Sequence, residues 1–319
     1  MARRRITRYT QVRVRFRFFP LRFEFSALDS VHFPPGLPGN ALRGALGTNF
    51  RRIVCEPSCP GARDCPGAAT CAYARIFEPR QSSGPSGLAD PPRPFVFRAS
   101  HLAGLTIAPG RPFHFDLNLF ETRDAPIGNF VGAFSAFAED GIGAARGRAR
   151  LLDCHLLGLD GAPTATWSEG VPLEPAAIDL APHAAEIHRL LLRFLTATEL
   201  KDSQRFVERP EFDVLIARIR DRLGTLSALY GDGPLPLGFA AMRTRAAEVR
   251  LTECRIERVS LTRHSTRTGQ SHPLGGFTGE AVYEGPIAPF LPYLEAARFT
   301  GVGRQTVWGK GEIALTVLP

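Results

Sequence analysis

The stretch that most constrains this chain lies towards its C-terminal end: Gly301-Val302-Gly303-Arg304-Gln305-Thr306-Val307-Trp308-Gly309-Lys310-Gly311. A short helical pattern precedes it, and the strand-like Glu312-Ile313-Ala314-Leu315 follows. Four glycines in so short a run let the backbone approach a ligand closely. Arg304 and Lys310 supply cations for phosphate, and Trp308 supplies a ring on which a base can stack. The run therefore reads as a loop built to hold a nucleic-acid backbone. Two nucleotide loops do not fit it. A P-loop has four residues between its first Gly and Gly-Lys, followed by Ser or Thr. Here Arg304, Gln305, Thr306, Val307 and Trp308 separate Gly303 from Gly309, and Gly311 follows Lys310. The dinucleotide fingerprint fails as well, because Thr306 stands where its third glycine belongs and the helix comes before the loop. Neither an ATPase nor a dehydrogenase is supported.

Composition points the same way. The chain has 319 residues, enough for two domains, and 44% are hydrophobic, enough for real cores. Thirty-nine basic residues stand against 31 acidic ones, a net charge of +8. Lys is scarce, so the charge is carried by Arg, whose planar fork binds phosphate bidentately and stacks on bases. Such a balance favours a polyanionic partner. The N-terminal MARRRITRYTQVRVRF is basic without the apolar core of a signal peptide, and no run reaches the length of a membrane span. A soluble, cytoplasmic protein with reduced cysteines is expected.

Several segments then add up to a resemblance. GFTGE (276–280), YEGPIAPFLPYL (283–294) and FTGVGRQTVWGKGE (299–312) resemble the C-terminal half of the CRISPR precursor-RNA-processing endoribonucleases of the RAMP superfamily. Upstream, GNALRGALG (39–47), RIVC (52–55) and CAYARIFEP (71–79) match the same family in the expected order. The resemblance implies an α+β fold of two tandem ferredoxin-like, RRM-like domains. The residue pattern gives the same order: strands at 9–19 and 21–31, a helix at 40–54, strands at 95–98 and 111–121, a helix at 127–139 and a strand to 157. The 26 residues 158–183 read as a Pro/Gly/Ala-rich loop, placing the domain boundary there: 1–160 and 161–319. A second, similar unit follows, with strands at 187–198, 249–262, 277–283 and the chain's end. Its helices are expected at 210–230, with Phe212, Leu215, Ile219, Leu223 and Leu226 on one face, and at 289–297.

The first unit carries an insertion, Cys55-x3-Cys59-x5-Cys65-x5-Cys71, set among prolines and glycines. Four thiols in so polar a loop suggest a structural zinc site with all four as ligands. Free thiols, disulfides and an iron–sulfur cluster are the other readings of the spacing.

The resemblance further implies cleavage of CRISPR repeat RNA without a catalytic metal. The 2′-hydroxyl beside the scissile phosphate attacks, leaving a cyclic phosphate and a 5′-hydroxyl. The mature guide RNA is then expected to stay bound, in company with CRISPR effector-complex subunits. Such chemistry needs a proton carrier and cations for the phosphorane charge. Histidine suits the first role, its ordinary pKa being about 6.5. The helix at 40–54 holds none; His32, just upstream, and His264, near the glycine-rich segments, are the candidates. Arg43, Arg263, Arg267, Arg304, Trp308 and Lys310 are the candidate RNA contacts. The alternative is a non-catalytic guide-RNA-binding subunit of an effector complex.

Overall fold

The computed structural model describes residues 14–319 apart from 37, 63, 80–90, 144, 183–185, 204, 237 and 265–270. The long first strand, β1 (Arg15–Ala27), alternates: Phe19, Leu21, Phe23 and Phe25 are buried on one face, Phe16 and Phe18 on the other. Around it lie β2 (Phe95–Arg98), β3 (Pro112–Leu119), β4 (Ala149–Leu157), β5 (Pro163–Thr166) and β6 (Ala176–Asp179). The order is β2-β3-β1-β4-β5, all antiparallel, and β6 pairs with the first residues of β1. Helices α1 (Pro38–Val54) and α3 (Ile127–Asp140), with the short α2 (Ala72–Phe77), cover the Phe19–Phe25 face. With α1 between β1 and β2, and α3 between β3 and β4, this is the ferredoxin-like βαββαβ arrangement.

Two expectations about this unit change. What reads as two strands, at 9–19 and 21–31, is one strand through Pro20; residues 9–13 lie outside the described ones. On one side of β1, β6 pairs up to Phe18 and β4 begins at Leu21, so Pro20 falls in the gap between two partners. A residue without an N–H is tolerated there. Residues 158–183, expected as a linker, contribute β5 and β6, so the hydrogen bonding of the first sheet runs to Asp179, past the expected boundary at 160. Short strands among prolines and glycines leave too little alternation to be read from sequence.

The second sheet repeats the order. β7 (Arg189–Thr198), β8 (Arg250–Val259), β9 (Gly276–Glu284) and β10 (Ile313–Val317) run β8-β9-β7-β10, again second, third, first, fourth. Helices α4 (Phe212–Tyr230) and α6 (Leu291–Thr300) pack on it, and Phe212, Leu215, Ile219, Leu223 and Leu226 of α4 are all buried as expected. A further helix, α5 (Phe239–Ala246), carries no apolar stripe and was not foreseeable from periodicity.

The two sheets share one apolar contact. Phe16, Phe18, Val96 and Phe120 from the uncovered face of the first sheet join the core of the second. The Phe18 and Phe299 rings lie 4.7 Å apart. At that contact every carbonyl at the C-terminus of α6 has a donor, three of the four from side chains. An α-helix leaves its last four carbonyls without helical partners. Here Ala297 O accepts from Gly301 N, and Arg298 O from Arg98 Nε and Nη2 at 3.0 and 2.8 Å. Phe299 O accepts from Arg98 Nη2 and Asn118 Nδ2, and Thr300 O from Arg222 Nε at 2.8 Å. Two cations at the negative end of a helix are also favoured by its dipole. Arg98 and Asn118 belong to the first sheet, so the glycine-rich run that follows α6 begins from an anchored point. Among the described residues no helix is long and apolar enough to cross a membrane.

Candidate functional site

The glycine-rich run meets the start of α1. A Cβ added at Gly39 would stand 3.3 Å from the Cα of Gly309, from the Trp308 carbonyl oxygen and from Phe97 Cβ. That is a backbone-to-backbone approach with no room for a larger residue. Gly309 itself has φ +83, in the left-handed region. One turn into α1, the Arg43 guanidinium lies 5.5 Å from the centre of the Trp308 ring. Trp308 closes a single 3₁₀ turn, Thr306–Trp308, and is half-buried. The loop thus presents one aromatic–cation pair at the first helix of the other unit.

Lys310 requires a correction. It is expected to offer a cation to RNA, but its side chain is fully buried. Its Nζ donates to Gly275 O at 2.6 Å and to Gln305 Oε1 at 2.8 Å, and Glu199 lies 3.7 Å away. Burial and the nearby Arg304 charge hold its pKa below the usual lysine value, with Glu199 opposing them. Lys310 therefore organises the loop from inside. Gln305, at φ +60, is part of the same bracket. Arg304 is the exposed cation of the run; its Nη1 donates to Glu199 Oε1 at 2.9 Å. Glu199, at the end of β7, anchors both cations and carried no sequence signal: one acidic residue in a strand-to-loop junction looks like any other.

His32 lies on the chain that leads into α1. It sits in a two-residue strand paired with Thr106–Ile107, is exposed, and shares a 2.9 Å hydrogen bond between its Nδ1 and Thr106 Oγ1. The bend after it touches the second unit: a Cβ added at Gly36 would lie 3.1 Å from a Leu261 methyl. Leu261 leads into the strand Thr262–His264, paired with Ser271–Pro273. The segments bearing His32 and His264 are thereby brought into contact by Gly36 and Leu261. Arg263 is on the same short strand, and Arg267 lies outside the described residues.

The cysteine insertion connects α1 to α2. Cys55 directly follows Val54, and Cys71 directly precedes Ala72. All four thiols are free. The Cys55 thiol contacts those of Cys59 and Cys71, and burial, chiefly, with the Cys71 charge pushes it up to about 11. The Cys59 thiol also contacts that of Cys65 and is held down by a backbone hydrogen bond from Gly61. These contacts run as a chain, Cys71–Cys55–Cys59–Cys65, and among the described residues no three ligand side chains close on one point.

Family comparisons agree with this arrangement in both halves. A family model described as an N-terminal domain matches residues 16–175, and the model for the CRISPR-associated endoribonuclease Cas6 matches 192–313. No curated protein sequence matches the chain. Among solved structures, the chain is similar to a Cas6 product complex from Thermus thermophilus, at 18% identity over 94% of this chain and all of that one, TM-score 0.56. A second Cas6 product complex gives 16% identity, 94% and 99% coverage and a TM-score of 0.50. A partial Cas6-RT-Cas1–Cas2 complex gives 13% identity and a TM-score of 0.56, over 95% of this chain and 46% of that one. The structural likenesses carry the fold, and the family model over residues 192–313 makes this a Cas6-like protein of the CRISPR-associated endoribonuclease kind.

Proposed function

We propose that this protein cleaves precursor CRISPR RNA within the repeat by attack of the 2′-hydroxyl on the adjacent phosphate, without a metal. The products are a cyclic phosphate and a 5′-hydroxyl, and the guide RNA stays bound. The observation that carries this reading is His32, an exposed imidazole on the chain that leads into α1, whose Nδ1 is occupied by Thr106. Its Nε2 is then the nitrogen for proton transfer, and an imidazole is the side chain suited to general acid or base work. His264 is the second candidate, carried on the segment that Leu261 joins to the His32 bend. Arg43, Arg263, Arg267 and Arg304 are read as the cations that bind the backbone and meet the phosphorane charge, with Trp308 as a base contact. Dependence on the 2′-hydroxyl would spare DNA. The two sheets are read as two tandem domains bordering after Asp179, acting in the cytoplasm, where other CRISPR effector subunits can take up the bound guide.

The four cysteines are read as a structural zinc site. Their chemistry fits: four free thiols linked one to the next in a chain, with one already held towards its thiolate. Bound zinc would draw the chain of thiols into one tetrahedron and tie α1 to α2; with four protein ligands it would leave no position open for substrate.

The test uses the purified chain with its own repeat RNA in excess EDTA, beside a copy with a single 2′-deoxy nucleotide at the cut. Cleavage of the first and not the second is expected, with His32→Ala lowering the rate by about 10²–10⁴-fold, the range of general acid–base catalysis. Tight binding of both RNAs without cleavage would instead favour a guide-RNA-binding subunit.

A further inference from the structure

The far side of the glycine-rich run carries a second aromatic–cation group, whose ring, Phe206, the proposed reaction does not use. Buried Leu200 leads out of β7 into a small ladder in which Lys201–Asp202 pairs with Arg205–Phe206 and Lys201 stands directly opposite Phe206. The Phe206 ring is 52% exposed. Lys201 Nζ lies 4.7 Å from the ring centre and the Arg304 guanidinium carbon 5.9 Å. Arg205 is exposed beside them. A single exposed apolar side chain is unremarkable by itself. This one is different because it is fixed. Val207 N donates to Leu200 O and closes the ladder's base. Arg304 is held through its backbone N to Glu199 O and through its guanidinium to the Glu199 carboxylate. The ring, its two cations and the glycine-rich run therefore form one connected unit. The nearby carboxylates are already engaged: Glu199 by Arg304, and Asp202 with Arg243 of α5 at 3.8 Å.

We propose that Phe206 is a nucleobase-stacking subsite for a single-stranded part of the RNA, with Lys201 and Arg304 taking the adjoining phosphates. Aromatic rings set among cations along a groove are how proteins hold single strands, the base on the ring and the backbone on the charges. A stacked base is worth more than an exposed cation–π contact, so a base displaces the Lys201 ammonium from the ring and frees it for phosphate. Phe206 with Arg304 at one end of the run, and Trp308 with Arg43 at the other, would give the loop two stacking positions. This inference rests on the RNA-processing reading.

The experiment compares the full-length protein with Phe206→Leu and Phe206→Trp. The leucine keeps an apolar side chain at an exposed position, so the fold should be unaffected; matching thermal melts check this. Affinity for fluorescein-labelled repeat RNA is read by anisotropy. Phe206→Leu should weaken binding by about 5- to 150-fold, the worth of one stacked base, and Phe206→Trp should hold it within about threefold of wild type. Bromouridine-substituted repeat RNA should crosslink to the peptide carrying Phe206. If wild type binds the RNA and Phe206→Leu binds equally well, the subsite is overturned, Phe206 becomes a contact for a protein partner, and the RNA-processing reading stands. If wild type binds no repeat RNA, that reading falls and takes this one with it.

Discussion

Replacing the two arginines that cap α6 separates their attraction to the helix from their repulsion of each other. In Arg98→Met, Arg298 O loses both of its donors while Phe299 O keeps Asn118. One orphaned carbonyl costs about 1–3 kcal/mol, and the lost interaction with the helix dipole about 0.3–1 kcal/mol. The relief of burying a guanidinium offsets part of this: burial is the main cause that lowers the pKa of Arg98, and also of Arg222. A net loss of about 1–3 kcal/mol is expected for Arg98→Met, and a similar loss for Arg222→Met, which orphans Thr300 O. The two cations serve consecutive carbonyls, and the Arg98 charge disfavours the charged form of Arg222. Removing either one relieves the other, and that relief can be gained only once, so the double variant should cost more than the sum of the two singles by the repulsion itself, on the order of 1 kcal/mol. Urea unfolding of the four proteins, with unchanged slopes confirming a common transition, gives the cycle directly. Losses that add within about 0.3–0.5 kcal/mol would make the clasp two independent caps, and a double variant that costs less than the sum would refute the repulsion.

Other substitutions test the loop, the sheet face and the cysteines. Gly311→Ala adds a Cβ 2.0 Å from Val302 O at a residue with φ +70, so both that strain and the Val302–Gly311 hydrogen bond are at stake; a loss of about 2–4 kcal/mol is expected, seen as a melting point lower by about 3–6 °C for a chain of this length. Lys310→Met should destabilise by about 2–4 kcal/mol, since it leaves Glu199 and two buried acceptors short of a partner, yet leave the salt dependence of RNA binding unchanged, whereas Arg304→Gln should reduce the slope of log K against log salt by about 0.7. His114 stacks on His101 at 4.7 Å, and burial first, then Arg22 and His101, lower its pKa against the opposing Asp116 and Glu24. A histidine with a lowered folded pKa contributes nothing above its unfolded value of about 6.5 and costs stability as pH falls from there through the folded value, so the drop in melting point from pH 7 to pH 5 should be smaller in His114→Gln. Metal analysis should find about one zinc per chain, lost in Cys59→Ser, and a strong chelator should lower the melting point of wild type but not of that variant.

The sequence was most legible where side-chain pattern and backbone agree. β1, α3, α4 and α6 follow from alternation or from an apolar stripe, and the order of strands and helices follows from them. What escaped was set by partners distant in sequence. β5 and β6 are strands because β4 and β1 offer them edges, not because their own residues alternate. Pro20 is permitted by the register of two other strands. Arg98 and Arg222 look like any basic residue until the end of α6 is placed between them. Glu199 becomes visible only when the loop folds back onto β7, and Phe206 only when Arg304 stands beside it. Of the candidate site, the run 301–311, Arg43 and His32 could be proposed because glycines, cations and a histidine near a helix start are legible as types. Their neighbours were not.

Lys310 shows how this legibility misleads. A lysine between two glycines reads as a cation offered to phosphate, because the glycines suggest open backbone and the charge suggests solvent. Both inferences assume that the loop's partner is a ligand. In the structure the first partner is the protein: Gly39 and Gly309 are small so that α1 and the loop can touch, and Gly311 is small so that Val302 can bond to it. With the glycines engaged against the protein, the lysine between two of them turns inward to Gly275, Gln305 and Glu199. Under the proposed function, contact with RNA would fall to the residues on the flanks of this framework, Arg304 on one side and Arg43 by Trp308 on the other. Substitutions of the glycines should therefore act on RNA processing through the position of those two arginines, and restoring the loop's shape should restore function without restoring any glycine amide to a phosphate.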